Sequence, residues 1–598
     1  MSRKGILLVA CCASILALVL SACGGGGEEA TQAPQPTAKP TTVGTSAPVP
    51  SSTAVSTVIS QVPTPSGSTG TILDKASLAK PEIDNVKYGG TFTESGTYSL
   101  GDLDPKYQDG SPIIYFSRYS AEKLVAFEPD LNDDLTHFAP TLAEKWTISD
   151  DLKTYTFNLR KGVKFQNVAP VNGREMVADD VLFNIKRYSD KDAVETASYA
   201  QIESATAPDK YTVVLKLKDP NAWAFNELFG AQQVVEAPEF INANNGHAPS
   251  MMIGTGPFIL KEYKFRASAT FLRNPDYWRK DANGKALPYM DESDMVVMAD
   301  PATILAAMRT NQLDFGSGLG TQHIVQLGKS NPNVRVFFSG EPSFNALAFN
   351  TKKAPWSDIR VRRGISMLFD KQKASEQLSI TGKWVWGAPV PGPLFSDKPL
   401  TIADYGQYGQ YNPTEGKKLL TDAGVMVGGK FKAPGALEFG ASASYIPLAQ
   451  VMQQLWKENG FEFDLNQLDT QSYYTKWFLR SYSELTMNHF LLGDLSLNAV
   501  AQYKFAPASA HNTSFIDDPA INQLIKDIRV TVDPAKQKQQ ARQLWDFEAT
   551  NVYNVWVGAE PGYSVVSPRT RDLVLRTGRN FTGPQEFIWL ADAPRTSP

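Results

Sequence analysis

From Gly24 to about Asn85 the chain is built of Thr, Pro, Ser, Ala and Gly, with almost no large apolar residue before Ile72. Such a stretch cannot bury enough surface to offset the entropy of ordering it. It predicts a disordered linker over 23–85 and confines folding to the residues beyond it. A coil of about 60 residues has an r.m.s. span of roughly 45 Å, and its prolines lengthen that. A glycosylated stalk is the competing compositional reading; either is a spacer. The remaining ~510 residues exceed what a single hydrophobic core serves, so at least two lobes are predicted.

Ahead of the spacer, Arg3 and Lys4 precede an uninterrupted apolar and small-residue run from Ile6 to Leu20. At about 15 residues it is short of the roughly 20 that a spanning helix needs, and it predicts a signal peptide over 1–22. The boundary Leu20-Ser21-Ala22-Cys23 resembles the bacterial lipobox. The resemblance implies a diacylglycerol on Cys23, which becomes the new N-terminus and anchors an extracytoplasmic protein to the cell membrane. A plain secretory peptide with a chance cysteine is the alternative. The other two cysteines, Cys11 and Cys12, lie in the segment to be removed. The exported body is then expected to have no disulfide, no thiolate nucleophile and no Cys-based metal site. Losing Arg3 and Lys4 leaves 56 basic against 62 acidic residues, a net charge of −6. With no basic run in the folded part, nucleic acid is not an expected partner.

From about Val86 the patterns alternate. In "TYTFNLRKGVKF", Tyr155, Phe157 and Leu159 alternate with polar residues, and in "YTVVLKLKD" Tyr211, Val213, Leu215 and Leu217 share one face. In "PLAQVMQQLWKENG", Leu448, Val451, Met452, Leu455 and Trp456 form a helical stripe that Gly460 stops; "SDIRVRRGISMLFD" places Val361, Ile365 and Leu368 on one face behind a Ser-Asp start. Interleaved strands and helices predict an α/β protein.

Several segments resemble the family 5 extracellular solute-binding proteins, the oligopeptide, dipeptide and nickel receptors of ABC importers. They are Trp146, "LRKGVKF" at Leu159–Phe165 and "ADDV" at Ala178–Val181; "GTGPFILKEY…RNPDYW" at Gly254–Trp278; "FNALAFNTKKAPWSDIRVRRGISMLFDK"; and "YNPTEGKKLLTDAG" at Tyr411–Gly424. The resemblance runs in order through nearly all of 86–598. It implies a two-lobed, periplasmic-binding-protein-like fold of the large type II form, with a ligand cleft between lobes. Lobe I would span 86–345, with an inserted subdomain at about 118–248, and lobe II 346–555. A return segment at 556–598 would complete lobe I. The crossings are expected near Phe344–Asn350 and Val555. Gly254, Gly256 and Pro257 read as a turn entering a strand, where the glycines permit φ > 0 and Pro fixes its own φ. Arg362 and Arg363, with Asp370, read as surface or hinge ion pairs. Asp179 and Asp180 read as first-turn residues matched to the helix dipole.

Enzyme signatures are missing. The five histidines, His137, His247, His323, His489 and His511, form no close metal-ligand pair; there is no GxSxG elbow and no P-loop. "GSGLG" at Gly316–Gly320 lacks dinucleotide spacing and reads as a flexible loop. No catalysis, cofactor or metal is expected. The resemblance implies capture of a peptide and delivery to ABC permease subunits served by separate ATPase subunits, by a monomer. It assigns Asp494, in "HFLLGDLSLNAVAQYKF", to the α-ammonium of a peptide, although Leu491-Leu492 and Ser496-Leu497 depart from the family pattern. A carboxylate in a closing cleft makes a strong charge-assisted bond; a turn or cap is its alternative role. Trp384 and Trp386 in a Gly/Pro-rich loop, with Tyr445, Tyr473 and Trp477, are candidate aromatic walls, with core packing the alternative for each. Tyr98 is the contact expected from the loop 95–105, and Phe344 and Asn345 offer a backbone edge to an extended peptide. An oligosaccharide is the alternative ligand. Nickel is disfavoured by the scattered histidines. A surface sensor or adhesion lipoprotein is the alternative outside transport.

Overall fold

The computed structural model describes residues 72–73, 85–96, 101–108, 111–127, 138–194, 196–229, 234–298, 300–338, 344–379, 387, 390, 394–396, 400–440, 445–490, 496–558, 563–573 and 585–594. All belong to one compact unit, Pro65–Pro598. Residues 1–22, expected to be a signal peptide, and nearly all of 23–85, expected to be a linker, lie outside the described residues.

The chain forms two α/β lobes. The larger is built on an eight-stranded sheet in the order Ile72–Leu73, Arg335–Phe338, Tyr563–Val566, Phe315–Leu319, Thr91–Gly96, Glu292–Val297, Ser268–Arg273 and Phe258–Lys264. The smaller lobe carries a five-stranded sheet ordered Leu465–Leu468, Leu437–Gly440, Leu485–Phe490, Phe344–Phe349 and Asn554–Trp556. A four-stranded antiparallel sheet, Ala143–Ile148, Thr154–Leu159, Thr212–Leu217 and Ile202–Asp209, packs with the helix Ala178–Tyr188 as the inserted subdomain.

Local patterns explain many of these elements. Tyr155, Phe157 and Leu159 are buried and their neighbours are not, as the alternation requires. The helix Tyr445–Glu458 buries Leu448, Met452, Leu455 and Trp456, and Gly460 takes φ +90° just beyond it. In the helix Ala178–Tyr188, Asp180 accepts the Val177 N–H at 2.8 Å, satisfying an end donor, and pairs with Arg174 through bonds of 2.9 and 2.7 Å.

Tertiary packing corrects several expectations. Ile72–Leu73 is not free spacer: it pairs in parallel with Val336 and Phe337 at the edge of the large sheet. "GSGLG" is no loop, since Phe315–Leu319 is an inner strand against which the helix Pro301–Arg309 lies so closely that a Cβ on Gly316 would meet Ile304 at 2.9 Å. Gly254 and Gly256 do not take positive φ. They are glycine because a Cβ there would come within 2.5 Å of Ala121 and of the Ser120 backbone, respectively. Arg362 forms no ion pair with Asp370. It is 4% exposed, and its guanidinium donates to the carbonyls of Trp356, Ser357, Asn551 and Val552. It thereby gathers carbonyls at the C-terminus of the helix Pro534–Asn551, where orphan acceptors and the dipole favour a cation. Asp370 instead caps the helix Lys371–Leu378, accepting the Lys373 N–H at 2.9 Å.

Candidate functional site: the junction of the two sheets

The chain passes between sheets twice. It leaves the large sheet at Phe338 and enters the small one at Phe344; it leaves the small sheet at Trp556 and re-enters the large one at Tyr563. The strand Phe344–Phe349 therefore belongs to the smaller sheet, and the first crossing lies just before Phe344. The second comes after Trp556. At the large-sheet end of these crossings, the parallel strands finish at Gly96, Val297 and Leu319, with Tyr563 paired to both Leu319 and Phe338. At the small-sheet end, Phe344 pairs with Phe490, Gly440 with Leu468 and Ala346 with Trp556. Carboxyl ends of parallel strands, at a point where the chain changes sheet, are where α/β proteins bind ligands.

Just under this end of the large sheet, Glu94 is completely buried. It shares a face with Phe92, an i, i+2 placement of charge among core residues that sequence reasoning passed over. Its Oε1 accepts Tyr119 Oη–H at 2.9 Å and lies 3.4 Å from Arg118 Nη2. Ser293 Oγ lies 3.0 Å from the same phenol oxygen. Burial pushes the Glu94 carboxyl above its ordinary range, with Arg118 opposing. On the small-lobe side, the buried Lys504 ammonium sits 4.1 Å from the centre of the Trp556 ring. Desolvation holds its pKa well down, against the attraction of Glu548. Glu548 accepts Asn554 N–H at 2.8 Å and Asn554 Nδ2–H at 2.9 Å, tying the long helix to the strand that leads into the second crossing.

Of the residues singled out in the sequence, Cys23, Tyr98, Trp384, Trp386 and Asp494 lie outside the described residues. Gly387, the next residue after Trp386, lies against the second crossing: a Cβ on it would come 2.9 Å from Gly558 N and 3.4 Å from Asn345 O. Asn345 is 6% exposed and its carbonyl accepts the Val557 N–H at 3.0 Å. The strand Phe344–Phe349 pairs along its length with Leu485–Phe490 on one side, and on the other with Asn554–Trp556 across Ala346–Ala348. Tyr445, Tyr473 and Trp477 are core residues and not cleft walls. They are 5%, 2% and 4% exposed and pack within the apolar core of the smaller lobe. Tyr473 donates its hydroxyl to Met487 O, and its ring occupies the space left by Gly440, where a Cβ would meet it at 3.0 Å. Trp477 Nε1–H donates to Asn488 Oδ1 at 3.0 Å.

Two α/β lobes joined by two short crossings, with strand ends converging on the junction, define a two-lobed solute-binding fold. The family model described as bacterial extracellular solute-binding proteins, family 5 Middle, matches residues 137–493, and the chain belongs to that family. It is 32% identical over 310 residues to di/tripeptide-binding protein 2 of Pseudomonas aeruginosa, a match covering 48% of this chain and 55% of that protein. The chain thus spans little more than half the length of that relative. It is 25% identical over 480 residues to the nickel-binding periplasmic protein of Escherichia coli, covering 76% of this chain and 86% of the relative. Its fold matches the ABC transporter-associated periplasmic binding protein DppA from Helicobacter pylori, in complex with peptide STSA, with a TM-score of 0.69 at 20% identity, over 85% of this chain and 99% of that one.

Proposed function

We propose that this protein is the substrate-binding subunit of an ABC importer, holding short peptides between its lobes and passing them to a membrane permease. The observation that carries this reading is the meeting of strand ends from both sheets at two short crossings, in a chain whose family includes relatives named for di- and tripeptides. Two short connections allow the lobes to close by rotation about them. The carboxylate of Asp494 would take the peptide ammonium, and Tyr98, Trp384 and Trp386 would supply contact surface. Cys23 would carry the lipid, and the spacer would leave a monomeric body free to reach the permease.

Native mass spectrometry of the protein as purified tests the cargo. A co-purifying peptide, or a peptide retained from a diverse library, is expected; a co-purifying sugar, or no peptide from the library, defeats the peptide reading. For the anchor, Cys23→Ser is expected to move the folded protein from the membrane to the soluble fraction. Membrane retention of that variant would refute lipidation.

A further inference from the structure

The inserted subdomain also packs against the smaller lobe, in a cluster that includes Ala346 and Trp556 beside the crossings. After the strand Thr212–Leu217 the chain turns through Asp219, Pro220 and Asn221 into the short helix Ala224–Phe229. The turn is firmly built. Asn221 is fully buried; its Nδ2 donates to Gln201 Oε1 at 2.7 Å and Glu227 Oε2 at 2.9 Å, and its Oδ1 accepts the Trp223 N–H at 2.9 Å. Tyr155 adds a hydroxyl donor to the Asn221 carbonyl. What this turn presents is Trp223, and that side chain is not part of its own subdomain's core. It is 4% exposed and packs in the cluster that holds Leu497, Val500, Ile525 and Ile528 of the smaller lobe.

Polar contacts accompany the ring across the seam. Ile528 and Arg529 stand in the last turn of the helix Pro519–Val530, where Ile528 O already accepts the Thr531 N–H at 3.1 Å. Trp223 Nε1–H donates to Ile528 O at 2.8 Å, and Ala222 N–H donates to Arg529 O at 2.9 Å. One lobe thus caps a helix of the other. Asn498 Nδ2 donates to Glu227 Oε1, and Arg529 Nη2 approaches Gln201 Oε1 at 3.4 Å. Asn498 Oδ1 and Arg529 Nε are buried here without a hydrogen-bond partner among the described residues. Buried polar atoms left unpaired, and helix-end carbonyls that water serves equally well, make a seam that hydrates at little cost when it parts.

We propose that Trp223 is an inter-lobe latch: the inserted subdomain grips the smaller lobe in the closed form and releases it on opening, so that Trp223 sets the ligand-free balance between the two. Its consequence for affinity rests on the solute-binding reading, because a ligand that needs the closed form binds in proportion to the population of that form. The latch itself is readable without ligand.

The test is a distance measurement between nitroxide labels at Leu272→Cys and Val427→Cys, exposed positions on the large and small lobes, in a ligand-free chain whose native cysteines are replaced by serine. Trp223→Ala is expected to lower the closed-to-open ratio on the order of tenfold, and Trp223→Phe to recover part of it. Asn498→Ala, which leaves the ring in place, should shift the distances the same way by less, and serves if Trp223→Ala does not fold. Distance distributions identical to the parent chain in the folded variants would overturn the latch. Failure to bind peptide would sink the transport reading and leave these distances unchanged.

Discussion

Both lobes bury charge, and they do so in opposite ways. In the larger lobe Arg187 lies between two carboxylates: its Nη1 donates to Glu236 Oε2 at 2.9 Å and its Nη2 to Asp104, with all three residues at most 5% exposed. This triad fastens the loop after the strand Thr91–Gly96 to the helix of the inserted subdomain. In the smaller lobe the buried Lys371 ammonium is served by a neutral acceptor, donating to Gly409 O at 2.9 Å, with the Tyr405 ring 5.5 Å away. Desolvation dominates both Glu236 and Lys371, but Glu236 keeps a charged partner where Lys371 has only a carbonyl, and their opposite charges make them respond in opposite directions to pH.

Cutting the triad is expected to have the largest effect. Arg187→Ala strands two buried carboxyls and should destabilise the protein by about 3–5 kcal/mol, read from urea unfolding. A loss below about 1 kcal/mol would show that the triad does not behave as a buried ionic unit. Next comes the joint between the large sheet and the loop at Ser120–Ala121. Gly256→Ala forces a Cβ to within 2.5 Å of backbone and should cost about 1–3 kcal/mol, the size of a typical overpacking penalty. An unchanged melting temperature would mean that the loop moves aside freely.

The pH response separates the lobes more finely. Burial pushes Glu236 up to about 8 and Lys371 down to about 7. Between its ordinary carboxylate value and about 8, Glu236 holds more proton folded than unfolded, so its contribution falls as pH rises through that range. Lys371 holds less proton folded than unfolded between about 7 and its ordinary value near 10.5, so its contribution grows as pH rises there and is lost as pH falls through about 7. Glu236→Gln should therefore flatten the decline in stability from about pH 5 to 8, and Lys371→Met the rise above about pH 7. Melting curves in which both variants change the same limb would break the comparison. The smallest loss is expected for Lys371→Met at neutral pH. Replacing a desolvated ammonium with an apolar chain should leave stability within about 1 kcal/mol of the parent, or raise it. A large loss would show that Lys371 is held by more than the Gly409 carbonyl.

Much of the architecture was legible along the chain because its signals are local. Alternation marked Thr154–Leu159 and Thr212–Leu217, the 3.6-residue stripe marked Tyr445–Glu458, and motif order pointed to a two-lobed α/β fold. The site was legible only in part. Aromatic residues at Tyr445, Tyr473 and Trp477 look alike in sequence whether they line a cleft or fill a core. Glu94 meets Tyr119, Arg362 meets Asn551 and Trp223 meets Ile528, partners 25, 189 and 305 positions away in the chain. No local period encodes such meetings, and a charge in a strand or a tryptophan after a turn is compatible with many of them.

By itself the amino-acid order determined that the body is too large for one core, that strands and helices interleave, and where several of them begin and end. Those properties arise from composition, backbone preference and hydrophobic period, which act over a few residues. Tertiary structure alone decided that Gly254 and Gly256 serve close approach and not positive φ, and that Arg362 gathers carbonyls in place of an ion pair. It also decided that Trp223 belongs to the other lobe's core. Each depends on which surfaces meet when distant segments pack, a choice made by the whole fold at once.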